Sequence, residues 1–210
     1  MNKRKMSIFN KLIILSIIIL FSFLFYLSIP VLYNFESLQK QLNIELSNKF
    51  NLKVELSEKI KYRILPSPHF EIIDSNLYTN QKINPKIIGQ LKNTKIFIST
   101  NKIYNQKKLK VENVHFVNSI FKFNNKNINF LNETLFKQTS SNKIIIKKSK
   151  FFFKDNDETI LIIPIKKLKF FHKNKKAENI LDINGLAFNS KFNLNLIKEF
   201  NDKKKNKFKY

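Results

Sequence analysis

An uncharged apolar run near the N-terminus constrains this chain more than any other feature of its sequence. Leu12 through Ile29 contains no charged side chain, and its polar groups are three serines and the hydroxyl of Tyr26. A helix rises about 1.5 Å per residue, so this run, extended by Val31 and Leu32, nearly crosses a hydrocarbon core of about 30 Å. The sequence therefore predicts a transmembrane helix over 12–30, with Leu12 and Ile29 near its ends.

The residues before this run are basic and include no acid: Lys3, Arg4, Lys5 and Lys11. Because basic residues stay on the cytoplasmic side of a membrane, segment 1–11 is predicted to be cytoplasmic and the chain after residue 30 to be exported. A cleaved signal peptide is the alternative. Such peptides have a shorter apolar stretch, of about 7–15 residues, and a small-x-small cleavage site that Ser28-Ile29-Pro30 does not offer. We therefore predict an uncleaved signal anchor and a single-pass membrane protein.

Composition limits the partners and the chemistry. The 210 residues carry a net charge of +24, which would suit nucleic acid or anionic lipid. The lysines are spread along the whole chain, and an exported domain rarely meets nucleic acid, so no nucleic-acid partner is expected. Weak attraction to anionic membranes is expected, at about 1 kcal/mol per well-placed lysine. The absence of cysteine excludes disulfides, thiol catalysis and thiolate metal sites.

Segment 31–50 has the periodicity of an amphipathic helix. Its apolar residues recur at spacings of three and four: Leu32, Phe35, Leu38, Leu42, Leu46 and Phe50. This spacing puts them on one helix face, with polar residues on the other. The stripe must be buried, and we predict that the helix caps the open end of the β-structure that follows. A helix lying on the membrane surface is the alternative.

From residue 51 the apolar period changes from 3.6 to 2. Alternating segments continue to residue 199 and predict about a dozen short strands. The predicted fold is mainly β: an elongated, curved antiparallel sheet that forms a groove behind the anchor and the capping helix. Ile87–Leu91 is predicted to be a short helical turn, and 155–158 a hairpin turn. Segment 200–210 is predicted to be a basic, disordered tail.

No arrangement of residues predicts catalysis, a cofactor or a metal. His69, His115 and His172 are far apart in the sequence, without metal-ligand spacing, and each is predicted to be an isolated surface residue of a strand. Two glycines, Gly89 and Gly185, cannot form a glycine-rich phosphate loop. The chain is therefore predicted not to be an enzyme.

The apolar strand faces predict a binding surface. About 20 helical residues cover about 30 Å, whereas a dozen strands in one layer extend for roughly 55 Å. Part of the apolar face then stays open unless the sheet folds on itself, and open apolar surfaces bind apolar ligands or partners. We predict that Ile146, Phe153, Ile163 and Leu194 line one continuous groove.

One segment carries a family resemblance. Ile60–Asp74 reads I-K-Y-R-I-L-P-S-P-H-F-E-I-I-D, with Pro66, Ser67, Pro68 and Asp74 as its distinctive positions. Together with the order of anchor, short helix and strand, it resembles the N-terminal region of the AsmA-like family. Pro85–Ile103, Leu109–Val114 and Leu181–Leu186 are similar as well.

The resemblance implies an inner-membrane protein of a Gram-negative envelope with a periplasmic β-groove. It implies a role in outer-membrane biogenesis and the binding or movement of membrane phospholipid, with other envelope proteins as further candidate partners. Members of the family are commonly much longer, so an end-to-end bridge across the periplasm is not expected. The alternatives are a scaffold that recruits a partner by strand addition and a truncated paralogue without transport activity.

Overall fold

The structure is a computed structural model that describes residues 8–79, 85–101, 103–125, 127, 142–155, 158–173, 178–199 and 208–209. Lys3, Arg4 and Lys5 of the predicted topology signal lie outside the described residues. Two helices and a large sheet make up the described part of the chain. The predicted fold class, mainly β behind an apolar N-terminal helix and a short second helix, is confirmed.

The first helix, α1, spans Ile8–Ser28 and continues into a 3-10 turn over Ile29–Leu32. Most of its large apolar side chains face outward, and Phe21 for example is 68% exposed. A core helix would bury such side chains, so this exposure excludes that interpretation. The span Ile8–Leu32 is long and apolar enough to cross a membrane. It begins before the predicted Leu12 and includes Lys11, whose long stem can carry its ammonium toward the helix end.

The second helix, α2, spans Phe35–Phe50, and its N-terminus is capped by Asn34, whose side chain accepts a hydrogen bond from the backbone N–H of Ser37 at 3.0 Å. Its buried residues are Leu38, Leu42, Leu46 and Phe50, and they belong to the core of the sheet. The predicted capping role is therefore confirmed. Leu32 and Phe35, the first two residues of the predicted stripe, are exposed. Leu32 belongs to the 3-10 turn, so its phase is not that of α2, whereas Phe35 is the first residue of α2 and is exposed there.

Eleven strands form one sheet. They are β1 Lys53–Glu55, β2 Ile60–Arg63, β3 His69–Tyr78, β4 Ile87–Ile98, β5 Val111–Val117, β6 Ile120–Asn124, β7 Lys143–Asp155, β8 Glu158–Lys173, β9 Glu178–Ala187, β10 Ser190–Glu199 and β11 Phe208–Lys209. The order is β1-β3-β4-β5-β7-β8-β9-β10-β11, with β2 beside β3 and β6 between β4 and β7. Both β5 and β6 run parallel to β7, whereas the other pairs are antiparallel as predicted.

Two local predictions have different outcomes. The helical turn over Ile87–Leu91 is wrong, because these residues open β4 and pair with the end of β3. The hairpin at 155–158 is confirmed by the pairing of Asp155 with Glu158. Of the predicted disordered tail, Phe208–Lys209 forms β11 and pairs with Ile197–Lys198. The remainder of that tail lies outside the described residues.

A line of irregular residues crosses the sheet. Asp74, Asn118 and Lys148 have positive φ angles of 60°, 55° and 49°, and a bulge in β8 falls at Lys166. The pairing places Asp74 opposite Lys92 and brings Lys148 opposite Lys166. We call Asp74, Lys92, Asn118, Lys148 and Lys166 the break line. The strands contain one extra residue at the break line. Consecutive inward-facing side chains are therefore three positions apart there instead of two, as Ile146 and Ser149 are in β7.

The face that carries the buried apolar residues is called the inner face, and the opposite one the outer face. The apolar core on the inner face is one cluster that continues across the break line. Phe121, Phe123 and Phe151 lie beyond the line, with ring centroids 5.1 to 6.4 Å apart. Small residues flank the line, and the backbone N–H of Ser119 donates to Ser149 Oγ at 3.0 Å. The two halves of the sheet therefore share one packed interior.

Candidate functional site

Three tyrosines join the end of the apolar helix to the sheet. The hydroxyl of Tyr26 donates to the carbonyl of Thr100 at 2.8 Å, and the hydroxyl of Tyr62 donates to the carbonyl of Leu27 at 2.6 Å. The hydroxyl of Tyr33 donates to the carbonyl of Ile103. Burial, with a smaller contribution from Tyr33, raises the pKa of Tyr62 to about 12, so this hydroxyl remains a donor at neutral pH.

An apolar cleft of about 120 Å³ lies beside this junction. Its walls come from the 3-10 turn, the start of α2 and the first strands, and include Val31, Phe35, Ile60 and Phe70. Val31, Leu32 and Phe35 are exposed next to it. The cleft and these exposed apolar residues therefore lie between the end of the apolar helix and the first strands of the sheet.

Side chains of the inner face line up across seven strands. The register joins Ile72, Thr94, Phe116, Ile146, Leu168, Ile183 and Leu194 in one row from β3 to β10. Burial decreases along it. The residues up to Leu168 are buried, Ile183 is half-buried, and Leu194 is 38% exposed. The inner face is therefore closed from β3 to β8 and opens over β9 and β10.

The four predicted groove residues share this inner face but differ in exposure. Ile146 is 7% exposed and belongs to the core, while Phe153 and Ile163 pack half-buried against it. Leu194 lies at the open end. That these residues line a passage stays a prediction. Alternation revealed their common face, whereas their burial depends on what packs against each strand.

The Pro-Ser-Pro segment leads into an aromatic row on the outer face. Pro66, Ser67 and Pro68 precede His69, whose Nδ1 lies 2.8 Å from the carbonyl oxygen of Ser67. His69 is buried and stacks on Phe97 at 4.8 Å between centroids, and Phe97 contacts the ring of His115 at 4.4 Å. The two histidines were predicted to be isolated surface residues. This is wrong, because strand pairing brings both of them against Phe97.

A polar network lies beside that row. Asn93 Nδ2 donates to Glu71 Oε1 at 2.7 Å, and the carboxylate also meets Lys95 at 3.4 Å and Arg63 at 3.6 Å. The hydrogen bond from Asn93 lowers the pKa of Glu71 most, and the two cations add to the effect. Asp74 lies 3.8 Å from Lys59, and both are exposed. These contacts give each of these charged groups a partner of opposite sign.

The part of the chain that the structure describes holds no group of three or more His, Cys, Asp or Glu residues that could bind a metal ion. Fold and site together define a mainly-β protein joined directly to an apolar N-terminal helix that can cross a membrane. No protein-family model, curated protein or solved structure matches this chain. The resemblance of segment 60–74 to the AsmA-like family therefore stays a prediction.

Proposed function

We propose that this chain is a single-pass inner-membrane protein of a Gram-negative envelope that binds phospholipid through the inner face of its sheet. Its N-terminus would be cytoplasmic and its sheet periplasmic, and its role would be a non-enzymatic one in outer-membrane biogenesis, as in AsmA-like proteins. The observation that supports this proposal best is the junction of anchor and sheet. There, the exposed apolar residues Val31, Leu32 and Phe35 lie beside a cleft between the apolar helix and the first strands.

The junction also supports an anchor that is not removed. Leu27 is buried in the core, and its carbonyl accepts the hydrogen bond from Tyr62. Cleavage after the apolar run would remove this core residue and leave a half-buried hydroxyl without its partner. Losing such a hydrogen bond costs about 1–3 kcal/mol when the remaining group is buried. A folded sheet therefore favours the intact anchor over a cleaved signal peptide.

The open end of the inner face is where an acyl chain would lie. Leu194 is exposed there, and Ile183, Phe192 and Leu196 are half-buried beside it. The closed region around Ile146 has no comparable surface. Binding of acyl chains is thus proposed over β9 and β10, and passage beneath Ile146 would require the core to open.

Site-specific photocrosslinking tests this proposal. A photoreactive amino acid would replace Leu194, or Asn195 as a matched control on the outer face of the same strand. We expect phospholipid adducts at position 194, detected by mass spectrometry of the protein purified from membranes, and few at position 195. Equal lipid labelling at both positions would indicate non-specific contact. Protein adducts alone at 194 would contradict the proposal.

One observation favours a second candidate, a scaffold that recruits a partner by strand addition. Among the described residues, β11 pairs only with Ile197 and Lys198 of β10. The edge of β10 that faces away from β9 therefore has no partner strand over 190–196. An unpaired edge offers backbone donors and acceptors to an extended segment of another chain. Protein adducts along this edge would favour the scaffold. No adducts of either kind would favour a paralogue without transport activity.

A further inference from the structure

The outer face carries a cleft that lipid binding on the inner face does not use. Its volume is about 600 Å³, and strands β7 to β10 form its walls beside Lys148 and Lys166 of the break line. Five lysines line it: Lys148, Lys150, Lys166, Lys167 and Lys191. We call it the lysine cleft. Pro164 and Leu186 are among the apolar residues of its walls.

The lysine cleft concentrates positive charge without a compensating carboxylate. No acidic residue is among the described residues that line it. Some cations elsewhere on the sheet have acidic neighbours. Glu71 meets Lys95 and Arg63, and a neighbouring cavity beside Lys169 contains Asp182. Five ammonium groups around one cavity repel one another, and a bound anion would relieve that repulsion.

The backbone at Lys148 indicates that its side chain is needed. Lys148 has a φ of 49°, in the left-handed region that asparagine, aspartate and glycine tolerate best. The other positive-φ positions of the break line are Asp74 and Asn118, which are such residues. Backbone strain of this kind clusters at functional sites. Lysine is less stable in this backbone conformation than glycine or asparagine, but only lysine places an ammonium at the cleft.

Gly185, one of two glycines in the chain, lies in the opposite wall. A Cβ at this position would lie 2.8 Å from the ring of Phe192 and 2.9 Å from the carbonyl oxygen of Pro164. A residue larger than glycine would therefore have to displace the ring of Phe192 and the backbone of β8 at Pro164. The wall of the cleft requires this close approach.

Apolar side chains border the cleft on the outer face. Ile162 and Leu186 are exposed there, and Phe188, at the turn between β9 and β10, is 87% exposed. A ligand that meets both the lysines and these side chains has an anionic group and an apolar part. We propose that the lysine cleft binds the phosphate of an anionic amphiphile, whose apolar chain lies against Leu186, Ile162 and Phe188.

Titration calorimetry on the full chain in neutral detergent tests this proposal with three ligands. They are dihexanoylphosphatidylglycerol, dihexanoylphosphatidylcholine and inorganic phosphate. We expect phosphatidylglycerol to bind at least about tenfold more tightly than either of the others, because only it combines net negative charge with an apolar chain. Equal affinity for phosphatidylcholine would overturn the requirement for an anion. Equal affinity for inorganic phosphate would overturn the requirement for an apolar chain on the ligand.

Matched variants separate the cleft from general charge. The triple variant Lys148→Gln, Lys166→Gln, Lys191→Gln should bind phosphatidylglycerol at least about tenfold more weakly. The control, Lys40→Gln, Lys53→Gln, Lys110→Gln, removes the same charge from exposed sites elsewhere and should retain the affinity. Equal losses in both would overturn the site. Ser149, Ile165 and Phe192 of the inner face also contribute to the cleft, but Leu194 does not line it, so failure here would leave the crosslinking result at Leu194 unaffected.

The variant Lys148→Gly distinguishes a ligand-binding role of Lys148 from a purely structural one. Glycine adopts a positive φ without strain, so the midpoint of thermal unfolding should rise. Affinity for phosphatidylglycerol should fall in the same variant, because an ammonium is lost from the cleft. Unchanged affinity would contradict the role assigned to Lys148.

Discussion

His115 packs against the ring of Phe97 on the outer face, and strand pairing puts Lys95 directly opposite it. Burial, with smaller contributions from the charges of Lys147, His69 and Lys95, lowers the pKa of His115 to about 4. The imidazole is therefore neutral in the folded protein at pH values where it would be charged in the unfolded chain. A single side chain thus makes folding stability depend on pH.

We predict that stability falls as the pH is lowered from about 6.5 to about 4. The unfolded chain binds a proton at His115 in this interval and the folded protein does not, so the contribution is complete above pH 6.5 and lost at pH 4. After allowance for solvent screening at a partly exposed ring, the loss should be about 1–2 kcal/mol. Denaturant unfolding in neutral detergent at several pH values measures it.

His115→Gln is the matched variant and should flatten the pH dependence in this interval. Glu71 affects stability in a different pH range. Its lowered pKa stabilises the folded protein, and this stabilisation is lost only as the pH falls below the ordinary glutamate pKa of 4.5. A wild-type protein with constant stability between pH 6.5 and 4 would contradict the burial of a neutral His115.

At the scale of elements, α2 does more than cover the sheet with leucines. Glu45 and Lys49 form an ion pair at 2.7 Å, and both reach the first residue of β5. Glu45 Oε2 accepts the backbone N–H of Val111 at 3.0 Å, and Lys49 Nζ donates to its carbonyl at 3.2 Å. The helix therefore binds the sheet through its apolar stripe and through the backbone of Val111. A helix lying on the membrane surface would make neither contact.

We predict that Leu38→Asp with Leu42→Asp unfolds the domain that the sheet and α2 form. Both leucines are buried, and two unpaired carboxylates in the core would cost several kcal/mol, a large part of a typical stability of about 5–15 kcal/mol. Ile44→Asp is the control, because Ile44 is exposed on the same helix and should tolerate the change. Limited proteolysis and thermal unfolding distinguish the variants. An unchanged midpoint in the double variant would rule out the capping contact.

At the scale of the whole molecule, the anchor and the sheet form one folded unit. Leu27 belongs to the core, and Tyr26, Tyr33 and Tyr62 fix the helix end to the loop after β4 and to β2. The apolar helix therefore leaves the sheet from a defined position rather than through a flexible linker. This arrangement makes orientation in the membrane a property of the whole chain.

We predict that a reporter fused after Tyr210 is active only when it is one that functions outside the cytoplasm. The basic residues before the apolar run should hold the N-terminus inside. Replacing Lys3, Arg4, Lys5 and Lys11 with glutamate should reduce the exported fraction. Activity of a cytoplasmic reporter at the same fusion point would overturn the assigned topology.

The sequence by itself determined the elements whose signals are local. The apolar run that gives α1, the spacing of Leu38, Leu42, Leu46 and Phe50, and the alternation of the strands each follow from side chains close together in the chain. Each of these patterns depends on a helical or extended period, which neighbouring residues reveal without knowledge of the fold.

Only the tertiary structure decided how the strands meet. Alternation is the same in parallel and antiparallel strands, so it could not show that β5 and β6 run parallel to β7. It could not show that the inner face is closed at Ile146 and open at Leu194, since exposure depends on what packs over each strand. The lysine cleft likewise joins residues of four strands, because strand register, which long-range packing sets, determines which side chains become neighbours.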